Sequence, residues 1–202
     1  MNRITSLLSL AAALSAAAIA HASLEVGKPA PDFTLTDLNG QTHALSSFKG
    51  KTVVLEWVNP DCPFVRKHYN KSTNMQDTQK AAAADGVVWL QINSAAPGKE
   101  GDYDVAKAKT WQKDVGVVAT AYFRDQDGKV GKLYDARTTP HMFIISGDGT
   151  LVYLGGIDSI RSSKESDIPN AINYVKAALA ELKAGKPITH SSTKEYGCSV
   201  KY

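Results

Sequence analysis

Two apolar runs separated by a helical segment constrain the fold of this chain most. The runs TVVLEWV (52–58) and VVWLQIN (87–93) are rich in β-branched and aromatic residues and are bounded by turn signals, which is typical of strands covered on both faces. Pro63 stands at a favoured first helical position, and the helical pattern continues with one break to Ala84. Because two strands joined through a helix form a parallel crossover, the sequence predicts an α/β sandwich.

The remaining elements are predicted from turn and cap residues at their ends. Asn-Gly and Gly-Asp-Gly turns indicate hairpins, and Gly after a helical pattern indicates its end. The predictions are a hairpin turning at Asn39 and Gly40, a helix over 102–116, a short helix around 130–134, an antiparallel hairpin over 141–156, and a final helix capped by Asp167 and closed by Gly185.

The first 22 residues have the pattern of an export signal. Arg3 precedes a short, alanine-rich apolar run, and Ala22 ends a small-residue cleavage site. The run lacks the roughly 20 strongly apolar residues that a membrane span needs. We therefore expect a signal peptide over 1–22, a domain over 23–185, a C-terminal tail over 186–202, and a periplasmic or secreted protein with no membrane segment after cleavage.

Charge and cysteine content narrow the class of protein. The 23 Lys and Arg residues nearly balance the 20 Asp and Glu residues and are mixed with them along the chain, so no nucleic-acid partner is expected. The two cysteines are Cys62 and Cys198. In an exported protein they most simply pair with each other, either as a structural or as a reactive disulfide.

Cys62 has the position of a reactive thiol. At a helix N-terminus, free N–H groups and the helix dipole stabilise a thiolate, which predicts a lowered thiol pKa and a nucleophilic sulfur. Arg66 and Lys67 add positive charge nearby, whereas Asp61 opposes it. A cysteine that only packs is the alternative.

A resemblance to a known family rests on several segments together. Thr139 and Pro140, directly before HMFII, resemble the cis-proline turn that thioredoxin-fold proteins place opposite their active-site cysteine. With GKPAPDFTLTDLNGQTHALSSFKGKTVVLEW (27–57) and VGKLYDARTTPHMFIISGDGTLVYLGG (130–156), the chain resembles redoxins of the alkyl hydroperoxide reductase/thiol-specific antioxidant group. This implies a thioredoxin-like fold: a mixed central sheet flanked by helices, with an N-terminal hairpin and a C-terminal tail.

The peroxidase branch of this group is matched poorly. Leu55 and Asn59 stand at the positions where the peroxiredoxin pattern has a proline and a threonine or serine. Pro140 stands at the position of the peroxiredoxin arginine. Peroxide reduction needs donors aimed at the peroxide oxygens. The departures argue against efficient peroxide reduction, although a peroxiredoxin-like thiol peroxidase stays an alternative.

The thioredoxin branch is matched in its acid and its proline. Glu56, six residues before Cys62, stands where those proteins carry a buried acid. Such a carboxyl can accept and return protons once burial raises its pKa, and the alternative is an acid at an edge or on the surface. Val65 occupies the place of the second cysteine, so the usual local cysteine pair is absent.

The tail offers a second thiol. About 13 extended residues between Gly185 and Cys198 reach about 40 Å, enough to cross the domain. The ending Gly197-Cys198 with a terminal Tyr202 is similar to that of a subgroup of peroxiredoxin-like redoxins. The resemblance implies that Cys198 resolves mixed disulfides at Cys62, whereas a bond that only ties down the tail is the alternative.

The resulting prediction is a periplasmic thiol-disulfide oxidoreductase. Cys62 is the nucleophile, Cys198 the resolving cysteine and Glu56 the proton relay, and the partners are a protein or small-molecule thiol or disulfide and a reductant. A non-catalytic thioredoxin-fold binding protein with a structural disulfide is a further alternative. No cofactor or metal is expected. The predicted substrate groove is formed by Pro63, Thr139, Pro140 and His141.

Overall fold

The computed structural model describes residues 24–202, so the predicted signal peptide lies outside the described residues. The strands are β1 (Thr34–Thr36), β2 (Thr42–Ala44), β3 (Val53–Trp57), β4 (Val88–Asn93), β5 (Ala121–Arg124), β6 (Thr138–Thr139), β7 (His141–Ile145), β8 (Leu151–Gly155) and β9 (Cys198–Ser199). The α-helices are α1 (Pro63–Tyr69), α2 (Asn74–Ala84), α3 (Val105–Val115), α4 (Lys129–Leu133) and α5 (Tyr174–Lys183), and 3-10 helices span Leu45–Phe48 and Glu165–Asn170.

A five-stranded mixed sheet in the order β5-β4-β3-β7-β8 organises the fold. The strands β3, β4 and β5 are parallel, whereas β7 and β8 are antiparallel to their neighbours. The predicted parallel crossover and the antiparallel hairpin are thus both confirmed. All five residues of β3 are buried, because β3 lies in the middle of the sheet and is covered on both faces.

The two faces of the sheet have separate hydrophobic cores. Alternate residues of β3 point to opposite faces. Val54 and Val58 pack with residues of α1, α2, α3 and α5, and this cluster includes Cys62. Leu55 and Trp57 pack on the other face with residues of the N-terminal segment and α4. The cysteine at the start of α1 therefore belongs to the core on the α1 side.

The beginning of the last helix differs from the prediction. Asp167 does not cap α5 but lies in the 3-10 helix that contains Pro169. The helix begins at Tyr174, and the side chain of Asn173 accepts the capping hydrogen bond from Lys176 N at 2.9 Å. The backbone becomes extended at Ala171, which ends the 3-10 helix, so α5 starts only after this break.

Three short strands were not predicted. The strand β5 forms the edge of the central sheet beyond β4, and β6 and β9 pair with each other outside it. Strands of two to four residues are too short for an alternating pattern to stand out. The pairing of β6 with β9 brings the tail beside the residues that precede β7.

Candidate active site

Cys62 is the N-cap residue of α1 and is fully buried. The turn before it is held by Asn59, whose side chain accepts a hydrogen bond from Asp61 N at 2.9 Å and whose carbonyl accepts from Cys62 N at 3.1 Å. Pro63 occupies the first helical position, where its missing N–H is not needed. The local sequence thus places the Cys62 sulfur at the beginning of the helix.

The loop before β7 faces this sulfur. The peptide bond between Thr139 and Pro140 is cis. The Sγ of Cys62 donates a hydrogen bond to the carbonyl oxygen of Thr139 at 3.0 Å. The turn that suggested the family resemblance is therefore in direct contact with the predicted nucleophile.

The tail brings Cys198 to the same place. The antiparallel pairing of β6 and β9 sets Thr139 opposite Cys198. Cys198 is partly exposed, and both cysteines are free thiols. Burial, which is the largest cause, and the neighbouring Cys62 together raise the pKa of the Cys198 thiol to about 12. The two cysteines, 136 positions apart in the sequence, are therefore neighbours at Thr139.

Gly197 allows the tail to approach this closely. Its φ of +142° lies in the region that favours glycine, and a Cβ there would be 2.0 Å from the carbonyl oxygen of Thr139. A side chain would collide with backbone, which cannot swing aside. Only glycine permits β9 to lie against β6 in this way.

Glu56 lies in β3 and is fully buried, which excludes the alternative of an edge or surface acid. The hydroxyl of Tyr69 lies 2.8 Å from both carboxyl oxygens. Burial is the largest influence on the carboxyl and raises its pKa to about 7, although its hydrogen bonds act in the opposite direction. The other donors to Oε2 are Trp89 Nε1 at 2.8 Å, Gln91 Nε2 at 3.2 Å and Gln79 Nε2 at 3.3 Å.

The charged residues near Cys62 are engaged with carboxylates. The guanidinium of Arg66 pairs with Asp61 at 3.1 Å. The ammonium of Lys67 is fully buried and pairs with Asp158 at 3.2 Å. The two cations predicted to support a thiolate thus each have an anionic partner of their own.

The four predicted groove residues differ in exposure. Pro63 is exposed, whereas Thr139, Pro140 and His141 are buried. The ring of His141 packs on Phe143 at a centroid distance of 4.4 Å. That is the face of β7 opposite Met142, which shares the core of Cys62. The tail lies over the turn that these residues form.

Several polar residues of the site were not singled out from the sequence. Trp89 is one of them, and its indole N–H donates to the Glu56 carboxyl. Gln91 lies directly opposite Glu56 in the register of β3 and β4. The sequence did contain a signal for this contact, because Glu56 and Gln91 are polar residues within apolar stretches of β3 and β4. The remaining residues of this kind are Tyr69, Gln79, His68, Asp158 and Tyr196.

Comparison with known proteins gives relatives of one chemical class. The chain is 29% identical over 130 residues to the thiol-disulfide oxidoreductase ResA of Bacillus subtilis (strain 168), a match covering 64% of this chain and 66% of the relative. It is 31% identical over 118 residues to ResA of Bacillus thuringiensis subsp. konkukian (strain 97-27), covering 53% and 68%. The chain thus spans about two thirds of the length of these relatives.

Solved structures show the same fold. An uncharacterized conserved protein from Geobacillus kaustophilus superimposes with a TM-score of 0.74 and 26% identity, covering 89% of this chain and 93% of that one. A putative thiol:disulfide interchange protein DsbE from Chlorobium tepidum superimposes with a TM-score of 0.52 and 26% identity, covering 65% and 85%. The predicted thioredoxin-like fold is confirmed.

Two further findings complete the description. Across residues 24–202, no helix has the length and apolar character needed to cross a bilayer. Residues 26–154 match the AhpC/TSA family, a stretch that holds the buried β3, Cys62 and the cis-proline turn. The chain belongs to the AhpC/TSA family of thioredoxin-like redoxins.

Proposed function

We propose that this protein is a thiol-disulfide oxidoreductase that uses Cys62 and Cys198 as its redox pair. The observation that carries the proposal is that both cysteines meet at Thr139, whose carbonyl accepts from the Cys62 thiol and whose backbone pairs with that of Cys198. Val65 leaves α1 without a second cysteine, and the paired tail supplies one instead. The relatives named thiol-disulfide oxidoreductase support the same chemistry.

The reaction proceeds by two exchanges. The thiolate of Cys62 attacks one sulfur of a substrate disulfide, so that a mixed disulfide forms and the first substrate thiolate leaves. Cys198, after losing its proton, attacks the sulfur of Cys62 and releases the second substrate thiolate. Two electrons have then passed from the protein dithiol to the substrate, and an external dithiol returns the Cys62–Cys198 disulfide to the reduced state.

Glu56 accepts and returns the protons of these exchanges in this proposal. Its carboxyl lies on the face of β3 that packs against α1, and Tyr69 of the same helix binds it. Its pKa of about 7 is suited to proton transfer near neutrality. The carboxyl would take up a proton when a thiol ionises and return it to a departing thiolate.

Substrate access requires the tail to move. Cys62 is fully buried, and β9 is paired with the backbone of β6 beside it. Once β9 leaves, β6 exposes unpaired backbone groups next to the Cys62 sulfur, and an extended peptide can pair with them. The favoured substrate is therefore a protein disulfide in an extended segment, with Thr139 and Pro140 forming the groove.

We place the reaction outside the cytosol. The signal pattern over 1–22 supports export. An oxidising compartment also keeps a two-cysteine redox protein supplied with disulfides. The tail over 186–202 then acts as the second half of the active site of a domain over 23–185.

A single-turnover experiment tests the roles of the cysteines. The reduced protein is mixed with a peptide that holds one disulfide, and the products are followed by mass spectrometry. Wild type should yield the fully reduced peptide, Cys198→Ser should stop at a mixed disulfide on Cys62, and Cys62→Ser should not react. A mixed disulfide on Cys198 in Cys62→Ser would reverse the two roles.

Two further results would replace the proposal by one of its alternatives. Rapid loss of both thiols with stoichiometric hydrogen peroxide would identify a thiol peroxidase. A disulfide potential below about −300 mV, together with no exchange with the peptide, would identify a structural bond.

A further inference from the structure

A buried polar cluster joins α1 to the tail close to the two thiols. The anchor cluster consists of Lys67, His68, Asp158 and Tyr196, which are all buried. Lys67 Nζ lies 3.2 Å from one carboxyl oxygen of Asp158, and the hydroxyl of Tyr196 donates to the other oxygen at 2.6 Å. Tyr196 is the member that comes from the tail, two residues before Cys198.

The protons of this cluster fit a single arrangement. The hydroxyl of Tyr196 has one proton, which goes to Asp158, so its oxygen accepts from His68 Nε2 at 3.3 Å. The Nδ1 of His68 then accepts from Asn74 Nδ2 at 2.8 Å, as a neutral ring requires. Burial lowers the pKa of His68 to about 4, which keeps the ring neutral. Because the donors of Tyr196 and His68 each have an acceptor, the docked position of Tyr196 is specific.

Apolar contacts and further hydrogen bonds hold the same segment. The ring of Tyr196 packs edge-on against Phe64 at 5.9 Å. Beyond Cys198, the tail is held by Val200 N donating to Arg137 O at 3.0 Å, Ala96 N donating to Lys201 O at 2.8 Å and Tyr202 Oη donating to Ala136 O at 2.8 Å. The tail is therefore attached on both sides of Cys198, by the anchor cluster before it and by these hydrogen bonds after it. Of the two attachments, the anchor cluster involves a buried charge.

We propose that Tyr196 and the anchor cluster set how long the tail stays docked, and thereby control both the effective concentration of Cys198 at Cys62 and the access of other molecules to Cys62. The proposal rests on the function proposed above. Lys67 and His68 lie on the helix that begins at Cys62, and Tyr196 lies on the strand approach to Cys198. When Tyr196 docks beside Lys67 and His68, it therefore also brings Cys198 to Cys62. Tyr196 is a positioning residue, since it acts through the backbone next to Cys198.

The first test measures access to Cys62. In a Cys198→Ser background Cys62 is the only cysteine, so its alkylation by iodoacetamide in native buffer reports how often the tail opens. Adding Tyr196→Phe removes one hydrogen bond to a buried carboxylate. We expect the alkylation rate to rise about tenfold, the size of effect typical for a bond to a charged group.

The second test measures the effective concentration of Cys198 in the two-cysteine protein. Each protein is equilibrated with glutathione, so that two protein thiols and one oxidised glutathione form the Cys62–Cys198 disulfide and two reduced glutathiones. We expect Tyr196→Phe to lower this equilibrium constant about tenfold, equivalent to about 30 mV for a two-electron couple.

Tyr134→Phe is the matched control. Tyr134 is fully buried on the other face of the sheet, and its hydroxyl donates to the carbonyl of Pro31 at 2.5 Å. Unchanged alkylation and an unchanged glutathione equilibrium in Tyr196→Phe would overturn the proposal, and so would equal changes in Tyr134→Phe. Neither test involves a substrate, so a failed peptide assay and a failed anchor test are distinguishable.

Discussion

Two buried carboxyl groups on either side of α1 have different surroundings. Glu56 is bound by neutral donors, of which Tyr69 belongs to α1. Asp158 faces the ammonium of Lys67, also from α1, and the hydroxyl of Tyr196. The same helix therefore supports one carboxyl without a cation and one with a cation.

This difference separates Glu56, the proposed proton carrier, from a structural ion pair. An unpaired buried carboxyl is favoured in its neutral form, and accordingly burial raises the pKa of Glu56 to about 7. In the buried pair of Asp158 and Lys67, removing either charge leaves the other uncompensated. We therefore expect changes at Asp158 to act on stability and tail position, and changes at Glu56 to act on pH dependence.

The largest effect is expected for Asp158→Ala. The substitution leaves the fully buried Lys67 ammonium without its anion, and breaking a buried pair in this way lowers the free energy of unfolding by about 3–5 kcal/mol. Urea denaturation of the reduced protein measures the loss. Asp127→Asn, at the exposed pair with Lys129, should change little, and comparable losses in both variants would contradict the contrast.

The next effect is a pH dependence removed by Glu56→Gln. The pKa of Glu56 is about 7 in the folded state and 4.5 for an unperturbed glutamate, so the folded state holds more protons than the unfolded state between these values. The stability of wild type should therefore fall as the pH rises from about 4.5 to 7, by on the order of 3 kcal/mol relative to Glu56→Gln.

Urea denaturation at pH 5 and pH 8 measures this difference. The exposed Glu165→Gln is the matched control, and its pH dependence should equal that of wild type. Parallel curves for wild type and Glu56→Gln would show that Glu56 does not titrate in this range.

A smaller effect is expected for Tyr69→Phe. The variant removes a donor to both oxygens of the Glu56 carboxylate. A hydrogen bond to a charged group contributes about 1.5–3 kcal/mol, so the pKa of Glu56 should rise by about 1–2 units. Carboxyl carbon chemical shifts in a labelled protein measure the titration, and Tyr196→Phe should leave it unchanged.

The smallest effect is expected for Arg66→Gln. Arg66 is on the same helix, but its side chain is 49% exposed where it pairs with Asp61. An exposed pair contributes less than about 1 kcal/mol, and salt weakens it. Denaturation at low and high salt tests this, and a loss as large as that of Asp158→Ala would remove the distinction between buried and exposed pairs.

Much of the fold could be predicted from local patterns. The apolar run of β3, Pro63 at the start of α1 and the turn of the β7–β8 hairpin are each encoded by neighbouring residues. Asp167 was wrongly chosen as the cap of α5, although Asn173 was also a suitable residue. The extended residue Ala171 separates the two candidates, and a choice between two capping residues is ambiguous without the packing of the helix.

The site was predicted less completely. Cys62, Cys198 and Glu56 were chosen from their positions, but the partners of Glu56 come from three separate elements. Lys67 and Arg66 were expected to act on Cys62, yet each pairs with a carboxylate. The carboxylate that pairs with a given cation depends on the distances between secondary-structure elements, and the sequence does not give these distances.

The sequence by itself determined that Cys62 begins a helix after a buried strand and that Glu56 lies within that strand, because turns, caps and apolar runs are local. Only the tertiary structure decided that Cys198 reaches Cys62. That meeting depends on β9 pairing with β6, on the close approach at Gly197 and on the docking of Tyr196 beside Asp158. These are contacts between distant segments, and their free energy exists only when the whole chain is folded.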